Sequence, residues 1–326
     1  MTAMAFLMTG AGLVLLFLGG EVLLRGAVAI ALRSGLSPLL IGLTIVSLAT
    51  SMPELMVTAT AGLQGATDVG VGNVVGSNIA NVLLILGATA IASPILVEPR
   101  LLVRDTTAML IATAVFLAMA MLGTITWVHG VAMLALLIIY FWASYRLERK
   151  AGGGDEEAKE ELEETGGSVC SKKMAFGLVV IGIAVLAAGS ELLVEGAVDI
   201  ARAAGVSEAV IGLTLVAFGT SLPELATSLV AAFRGHTEVA LGNVLGSNIA
   251  NILLIIGSLA LITPFEVSPE ILSFDMWVMA AVSLLLLPVV ILCRRLGRRV
   301  GVTFLSLYAL FIFYQFDPHR LLDLVS

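Results

Sequence analysis

Apolar residues run along this chain in long unbroken stretches, without the strict alternation of a half-buried strand or the single apolar stripe of a surface helix. Segments such as GLVLLFLGG, VAMLALLIIYFW and AAVSLLLLPVVIL are apolar on every side, and about twenty such residues in a helix cross a bilayer. Ten spans are predicted, near residues 4 to 30, 38 to 63, 70 to 93, 105 to 122, 127 to 146, 174 to 202, 207 to 232, 239 to 262, 273 to 293 and 301 to 316. A closed β-barrel requires short alternating segments, so runs of this length leave the helix as the spanning element. The predicted class is an all-α polytopic membrane protein. The first run has no basic segment before it and flows into Glu21 and Arg25 instead of a small-residue cleavage site, so it is expected to be a retained span and not a signal peptide.

Composition agrees. Hydrophobic residues make up 59% of the 326, charged residues 13%, and the mean hydropathy is +1.07, beyond what one soluble core can hide. With the N-terminus outside, fifteen of the seventeen Lys and Arg residues fall on inner connections and Arg202 and Arg320 alone fall outside, an asymmetry that the positive-inside rule reads as orientation. Both termini are therefore expected outside a cell membrane. The net charge of −7 comes largely from DEEAKEELEETGG, a predicted cytoplasmic linker with no ordered Ca²⁺-loop spacing. No basic patch points to nucleic acid, and no obligate protein partner is evident. Cys170 and Cys293 stand alone on the cytoplasmic side without CxxC spacing and read as reduced, inert thiols.

The chain contains itself twice. Residues 41 to 87 and 211 to 257 align without a gap, and 27 of the 47 pairs are identical. The offset of 170 also pairs Glu21 with Glu191, Gly26 with Gly196, Pro94 with Pro264, Pro99 with Pro269 and Asp105 with Asp275. Five spans per half is an odd number, so the second half enters from the opposite side. The expected architecture is two inverted five-helix repeats, residues 1 to 146 and 173 to 326, joined by the linker at 147 to 172. Inverted repeats face their best-matched segments across an axis near mid-bilayer, as transporters do.

Those segments are rich in oxygen. LATSMPEL and FGTSLPEL lie within the second and seventh spans, and Pro53 and Pro223 interrupt them, freeing carbonyls around Ser47 to Thr50 and Ala217 to Thr220. Unwound backbone at that depth is tolerated where it lines a cavity or binds something. Thr50, Ser51, Thr220 and Ser221 add hydroxyls; Glu54 and Glu224 add carboxylates. GNVVGSNIAN and GNVLGSNIAN on the third and eighth spans supply Ser77, Asn78, Asn81, Ser247, Asn248 and Asn251, with Ser77 and Asn81, and likewise Ser247 and Asn251, one turn apart on one face. Glycines 72, 76, 242 and 246 permit close helix approach.

Hard oxygen donors without His or Cys select Na⁺, Ca²⁺ or Mg²⁺ over zinc or copper; His129, His236 and His319 fall in loops. Plainer readings exist for several of these residues. Gly/Ser stretches often only pack helices, and Asn73, Asn78, Asn243 and Asn248 suit bonds to neighbouring helices. Two glutamates at membrane depth are different, since each costs about 3 kcal/mol on insertion scales, and so they mark function. Glu21, Glu191, Glu195 and Asp199 lie apart from the oxygen clusters, and Glu21 is spaced to pair with Arg25.

TSMPE with GSNIAN, repeated as TSLPE with GSNIAN, resembles the α-repeats of the cation/calcium antiporter superfamily, and most of all its prokaryotic sodium/calcium exchangers. The resemblance covers nearly the whole chain. It implies antiport of Na⁺ against Ca²⁺ by alternating access, with four adjacent cation sites in a diamond and no enzymatic step or cofactor. On this chain it implies Glu54 and Glu224 as Ca²⁺ ligands with the carbonyls of Thr50 and Thr220. Sodium sites would draw on Ser51, Ser77, Ser221 and Ser247, with the carbonyls of Ser47 and Ala217. The first and sixth spans would slide over the remaining bundle.

Two departures stand out. The family often has Asp at the position of Asn251, and Ala and Gly where this chain has Ser47 and Ala49. With Asn81 and Asn251 both neutral, the site would hold two formal charges, enough for one Ca²⁺ or two Na⁺. A proton-coupled calcium exchanger is the nearest alternative, disfavoured by serines that proton sites do not need; a passive channel fits inverted halves around one buried site less well. No HExxH, GxSxG or Ser/His pair at depth suggests an enzyme.

Overall fold

The computed structural model of the protein describes residues 2–96, 99–151, 171–203, 217–292 and 295–316. The acidic linker beyond residue 151, residues 207–216 of the predicted seventh span, Cys170, Cys293, Lys159, Arg294, His319 and Arg320 lie outside the described residues. The described chain is helical almost throughout, as runs of apolar residues in lipid require. Its helices are α1 (Thr2–Ser34), α2 (Pro38–Thr50), α3 (Met52–Leu63), α4 (Thr67–Ala92), α5 (Pro99–Leu122), α6 (Trp127–Ala151), α7 (Lys172–Ala203), α8 (Ala217–Thr220), α9 (Leu222–Phe233), α10 (Thr237–Ile262), α11 (Ile271–Leu292) and α12 (Arg298–Phe316). Seven of them are long and apolar enough to cross a membrane, and α2 with α3 adds an eighth crossing if the pair, bent by 44°, is one span. The protein is a multi-pass membrane protein.

Burial sorts the helices. In the most apolar window of α4 and of α10, 78% of residues are buried, against 22% to 44% in the other candidate spans, so α4 and α10 form the centre. Around them a core of Val74, Ile79, Leu83, Phe116, Ile249, Ile256 and Leu286 joins α5, α6, α11 and α12. A second apolar cluster, including Leu16, Leu23, Val46, Leu186 and Val230, packs α1 and α7 against α2 and α9. Phe6, Leu13, Ile138, Trp142, Phe176 and Leu284 are exposed on the outside, the face that lipid covers.

α1 and α7 meet along a seam of glycines seven residues apart. A Cβ on Gly12 would fall 2.7 Å from the Gly189 carbonyl, one on Gly19 2.8 Å from Leu186 N, and one on Gly26 2.8 Å from the Ala175 carbonyl. From the other side, a Cβ on Gly182 would lie 2.6 Å from Leu23 N and one on Gly196 2.6 Å from the Ala5 carbonyl. The helices run antiparallel with their backbones in contact, a close approach that only glycine allows.

Two short antiparallel pairings, which hydropathy does not signal, close the ends of the bundle. β1 (Ile95–Leu96) pairs with β2 (Arg295–Leu296), and Ile125 exchanges both backbone bonds with Phe265, at 2.7 and 3.0 Å. Ile95 and Phe265 are related by the offset of 170, as are Ile125 and Arg295.

Candidate cation-binding site

The breaks that sequence predicts at TSMPE and TSLPE are present, and they fall on serine. Ser51 (φ −79°, ψ 4°) and Ser221 (φ −88°, ψ 4°) both leave the α region for the bridge region common at active sites. Pro53 and Pro223 then sit in the first turn of the next helix, where a missing N–H does no harm. Glu54 and Glu224 occupy the first turns of α3 and α9, so the positive end of each helix dipole faces a carboxylate. Both glutamates are fully buried, at 0% and 1% exposure.

Carbonyl release is uneven. The Ser47 carbonyl accepts the Ser51 N–H at 3.0 Å and the Thr50 hydroxyl at 3.3 Å, so it is not freed as the proline rule predicts. In the second half the Ser221 N–H donates instead to the Phe218 carbonyl at 3.1 Å.

The two breaks are joined reciprocally. Ser51 donates its hydroxyl to Glu224 Oε1 at 3.2 Å, and Ser221 donates to Glu54 Oε1 at 3.3 Å. Thr50 donates to Asn243 Oδ1 at 3.1 Å; Thr220 donates to Asn73 Oδ1 at 3.2 Å. Asn73 and Asn243 in turn donate to Thr58 and Ser228, at 3.2 and 3.0 Å. These two asparagines tie neighbouring helices together. The Ser77 and Ser221 hydroxyls are hydrogen-bonded at 3.1 Å, with Ser77 the donor when the Ser221 proton faces Glu54, and Asn81, the turn-mate of Ser77, is also buried. Ser247 and Asn251 are buried on α10 in the matching places.

Seven buried side-chain oxygens among the described residues have no protein partner. Five come from the predicted set: Glu54 Oε2, Glu224 Oε2, Asn81 Oδ1, Asn251 Oδ1 and Ser247 Oγ; Thr106 and Thr227 supply the others. A buried oxygen without a donor costs about 1 to 3 kcal/mol, and such groups in native proteins require an explanation. Five of the seven belong to the predicted set and each can accept, which is the demand a bound cation would meet. No group of three or more His, Cys, Asp or Glu occurs among the described residues, so this donor set is mostly neutral oxygen, suited to hard ions.

Sequence reasoning missed the π-helical turns at Gly42–Val46, Asn81–Ile85, Asn251–Ile256 and Ile271–Asp275. Two of them begin at the inner asparagines, and a π turn inside an α-helix frequently marks a functional site; the repeated GSNIAN is the signal that locates them. The glycines are also unequal. A Cβ on Gly242 would lie 2.5 Å from the Leu39 carbonyl and one on Gly246 2.4 Å from the Leu43 carbonyl, while among the described residues Gly76 has no neighbour within 4 Å and Gly72 has Ile271 at 3.8 Å. The segment corresponding to residues 39–47, which is 209–217, lies outside the described residues up to 216. Glu21 bonds Arg25 at 2.8 Å as its spacing predicts, and also Arg234 at 2.7 Å, away from the oxygen cluster.

Comparison with known proteins gives a consistent result. The family model described as Sodium/calcium exchanger protein matches residues 4–146 and 174–316. Sodium/calcium exchanger MaX1 of Methanosarcina acetivorans is 33% identical over 348 residues, covering 97% of this chain and 99% of that protein. Inner membrane protein YrbG of Escherichia coli is 36% identical over 300 residues, covering 89% and 90%. The sodium-calcium exchanger NCX_Mj soaked with zero Na⁺ and Ca²⁺ is similar in structure at a TM-score of 0.82 and 33% identity, over 97% of this chain and 100% of that one.

Proposed function

This chain belongs to the sodium/calcium exchanger protein family, and on that premise we propose that it exchanges Na⁺ for Ca²⁺ across a cell membrane by alternating access at a buried site centred on Glu54 and Glu224. The ions are its substrates. The observation that carries the reading is the set of five partnerless oxygens on Glu54, Glu224, Asn81, Asn251 and Ser247. In this reading Ca²⁺ is held by the two carboxylates with the carbonyls of Thr50 and Thr220. Na⁺ takes the hydroxyls of Ser51, Ser77, Ser221 and Ser247 with the carbonyl of Ala217, the expected carbonyl of Ser47 being already engaged by Ser51 and Thr50, and Asn81 and Asn251 contribute amide oxygens.

The proposed architecture is ten spans in two inverted repeats, residues 1–146 and 173–326, with the linker at 147–172 in the cytoplasm and both termini outside. Contacts between distant segments support it. That topology puts β1 and β2 on the inner face and Ile125 and Phe265 on the outer face, and each of these pairs is hydrogen-bonded. It places Arg25 and Arg234 on one side, and both meet Glu21. It also makes α1 and α7 antiparallel, as the glycine seam has them.

Glu54→Gln is nearly isosteric and removes one of the two charges that balance Ca²⁺. It is expected to abolish Na⁺-driven ⁴⁵Ca²⁺ uptake into proteoliposomes while the protein remains monodisperse in detergent. Retained uptake overturns the site.

A further inference from the structure

Four asparagines at the centre of the bundle, two on α4 and two on α10, hydrogen-bond across the halves. Asn81 donates through Nδ2 to Oδ1 of Asn248 at 3.0 Å, and Asn251 donates through Nδ2 to Oδ1 of Asn78 at 3.1 Å. The accepting pair is itself held. Asn78 Nδ2 donates to Met279 Sδ at 3.6 Å and to the Asn248 carbonyl at 3.4 Å, and Asn248 Nδ2 donates to Met109 Sδ at 3.3 Å. Met109 and Met279 are fully buried and are related by the same offset of 170.

A thioether sulfur accepts and cannot donate. The amide nitrogen, and not the oxygen, must therefore face each methionine, which turns Oδ1 of Asn78 and Asn248 toward the neighbouring asparagine. Only a donor satisfies an oxygen in that place, so Asn81 and Asn251 present Nδ2 to it. Their own Oδ1 atoms then point the other way, and these are two of the five partnerless oxygens.

We propose that Met109, Met279, Asn78 and Asn248 are positioning residues that hold the amide oxygens of Asn81 and Asn251 toward the bound cation and demand an amide, not a carboxylate, at both positions. The proposal rests on the exchange site described above. A carboxylate at 251 meets Oδ1 of Asn78 oxygen against oxygen unless Asn78 turns over and loses its sulfur contact. The site's formal charge is thereby kept to the two glutamates by residues that do not touch the ion.

The test is a double-mutant cycle, which isolates a pairwise term, read by equilibrium ⁴⁵Ca²⁺ binding to the purified full-length protein and by Na⁺-driven uptake in proteoliposomes. Asn78→Leu is expected to weaken Ca²⁺ binding about tenfold, within the range of coupling in one hydrogen-bond network. In an Asn251→Leu background it should weaken binding no further, while in an Asn81→Leu background it keeps its full effect. Met279→Leu, a volume-conserving swap, should show the same selectivity with a loss of about threefold, and it carries the test if Asn78→Leu does not fold. Asn251→Asp is expected to bind Ca²⁺ no more tightly than the wild type despite its added carboxylate. Additive losses in every background, as simple helix-to-helix packing gives, or a tenfold tightening in Asn251→Asp, overturn the proposal and leave exchange standing if wild-type uptake is intact. A coupled cycle in a protein that binds Ca²⁺ without Na⁺-driven uptake upholds the positioning role and overturns exchange; a wild type that binds no Ca²⁺ overturns both.

Discussion

Ser51 and Ser221 each break a helix and also send a hydroxyl to the glutamate of the opposite half, at 3.2 and 3.3 Å. As proposed Na⁺ ligands they touch the ion and the carboxylate together, so Ser221→Ala is expected to raise the half-saturating Na⁺ concentration about tenfold, the order of a hydrogen bond to a charged group, with a smaller effect on Ca²⁺ binding. The Na⁺ dependence of Ca²⁺ efflux from proteoliposomes measures this, and an unchanged dependence removes Ser221 from the sodium path. The break and the glutamates were legible from TSMPE and TSLPE, because proline and buried charge have fixed chemical consequences. That each serine serves the other half's glutamate was not, since cross-chain pairing depends on how the halves dock. Nor was the engaged carbonyl of Ser47: Pro53 lacks an N–H, but Ser51 and Thr50 upstream of it still have donors to give.

Helices of this protein are held by different means on its two sides. Around α4 and α10 ordinary apolar interdigitation dominates; hydropathy anticipated the spans but not which of them would lie at the centre. Between α1 and α7 the backbones touch through Gly12, Gly19, Gly26, Gly182, Gly189 and Gly196, a heptad spacing visible in the sequence once the partner helix is known. Overpacking such a contact costs about 1 to 3 kcal/mol or more. Gly182→Leu, whose Cβ would lie 2.6 Å from Leu23 N, is expected to lower the thermal midpoint and uptake together. Gly177→Leu on the same helix, with nothing within 4 Å, should leave both unchanged; tryptophan-fluorescence melts distinguish them, and equal melts refute the seam. The π turns at Asn81 and Asn251 had no propensity signal.

For the whole molecule, the charge of the proposed site sets the electrical behaviour expected of the cycle. Two ionised glutamates neutralise one Ca²⁺, and a cycle that loads three Na⁺ carries one net positive charge, worth about 2.3 kcal/mol per 100 mV. Ca²⁺ uptake driven by Na⁺ is therefore expected to change rate when a potassium diffusion potential is imposed on the vesicles, and uptake indifferent to that potential contradicts the charge count. The duplication at an offset of 170 is plain in the sequence, and so was the expectation that Asn78 and Asn248 bond neighbouring helices, but which asparagine meets which was not. The antiparallel seam adds something the repeat alone does not contain. α1 comes from one half and α7 from the other, yet their backbones are in contact, which in the proposed cycle makes them move as a single stiff rod, tied through Glu21 to Arg234 and through Ser190 to the Gly219 carbonyl at 2.6 Å. In the proposed cycle a stiff rod has one position at a time. Both mouths of the pathway are then governed by the same part, and the membrane stays sealed to leak for as long as the seam holds.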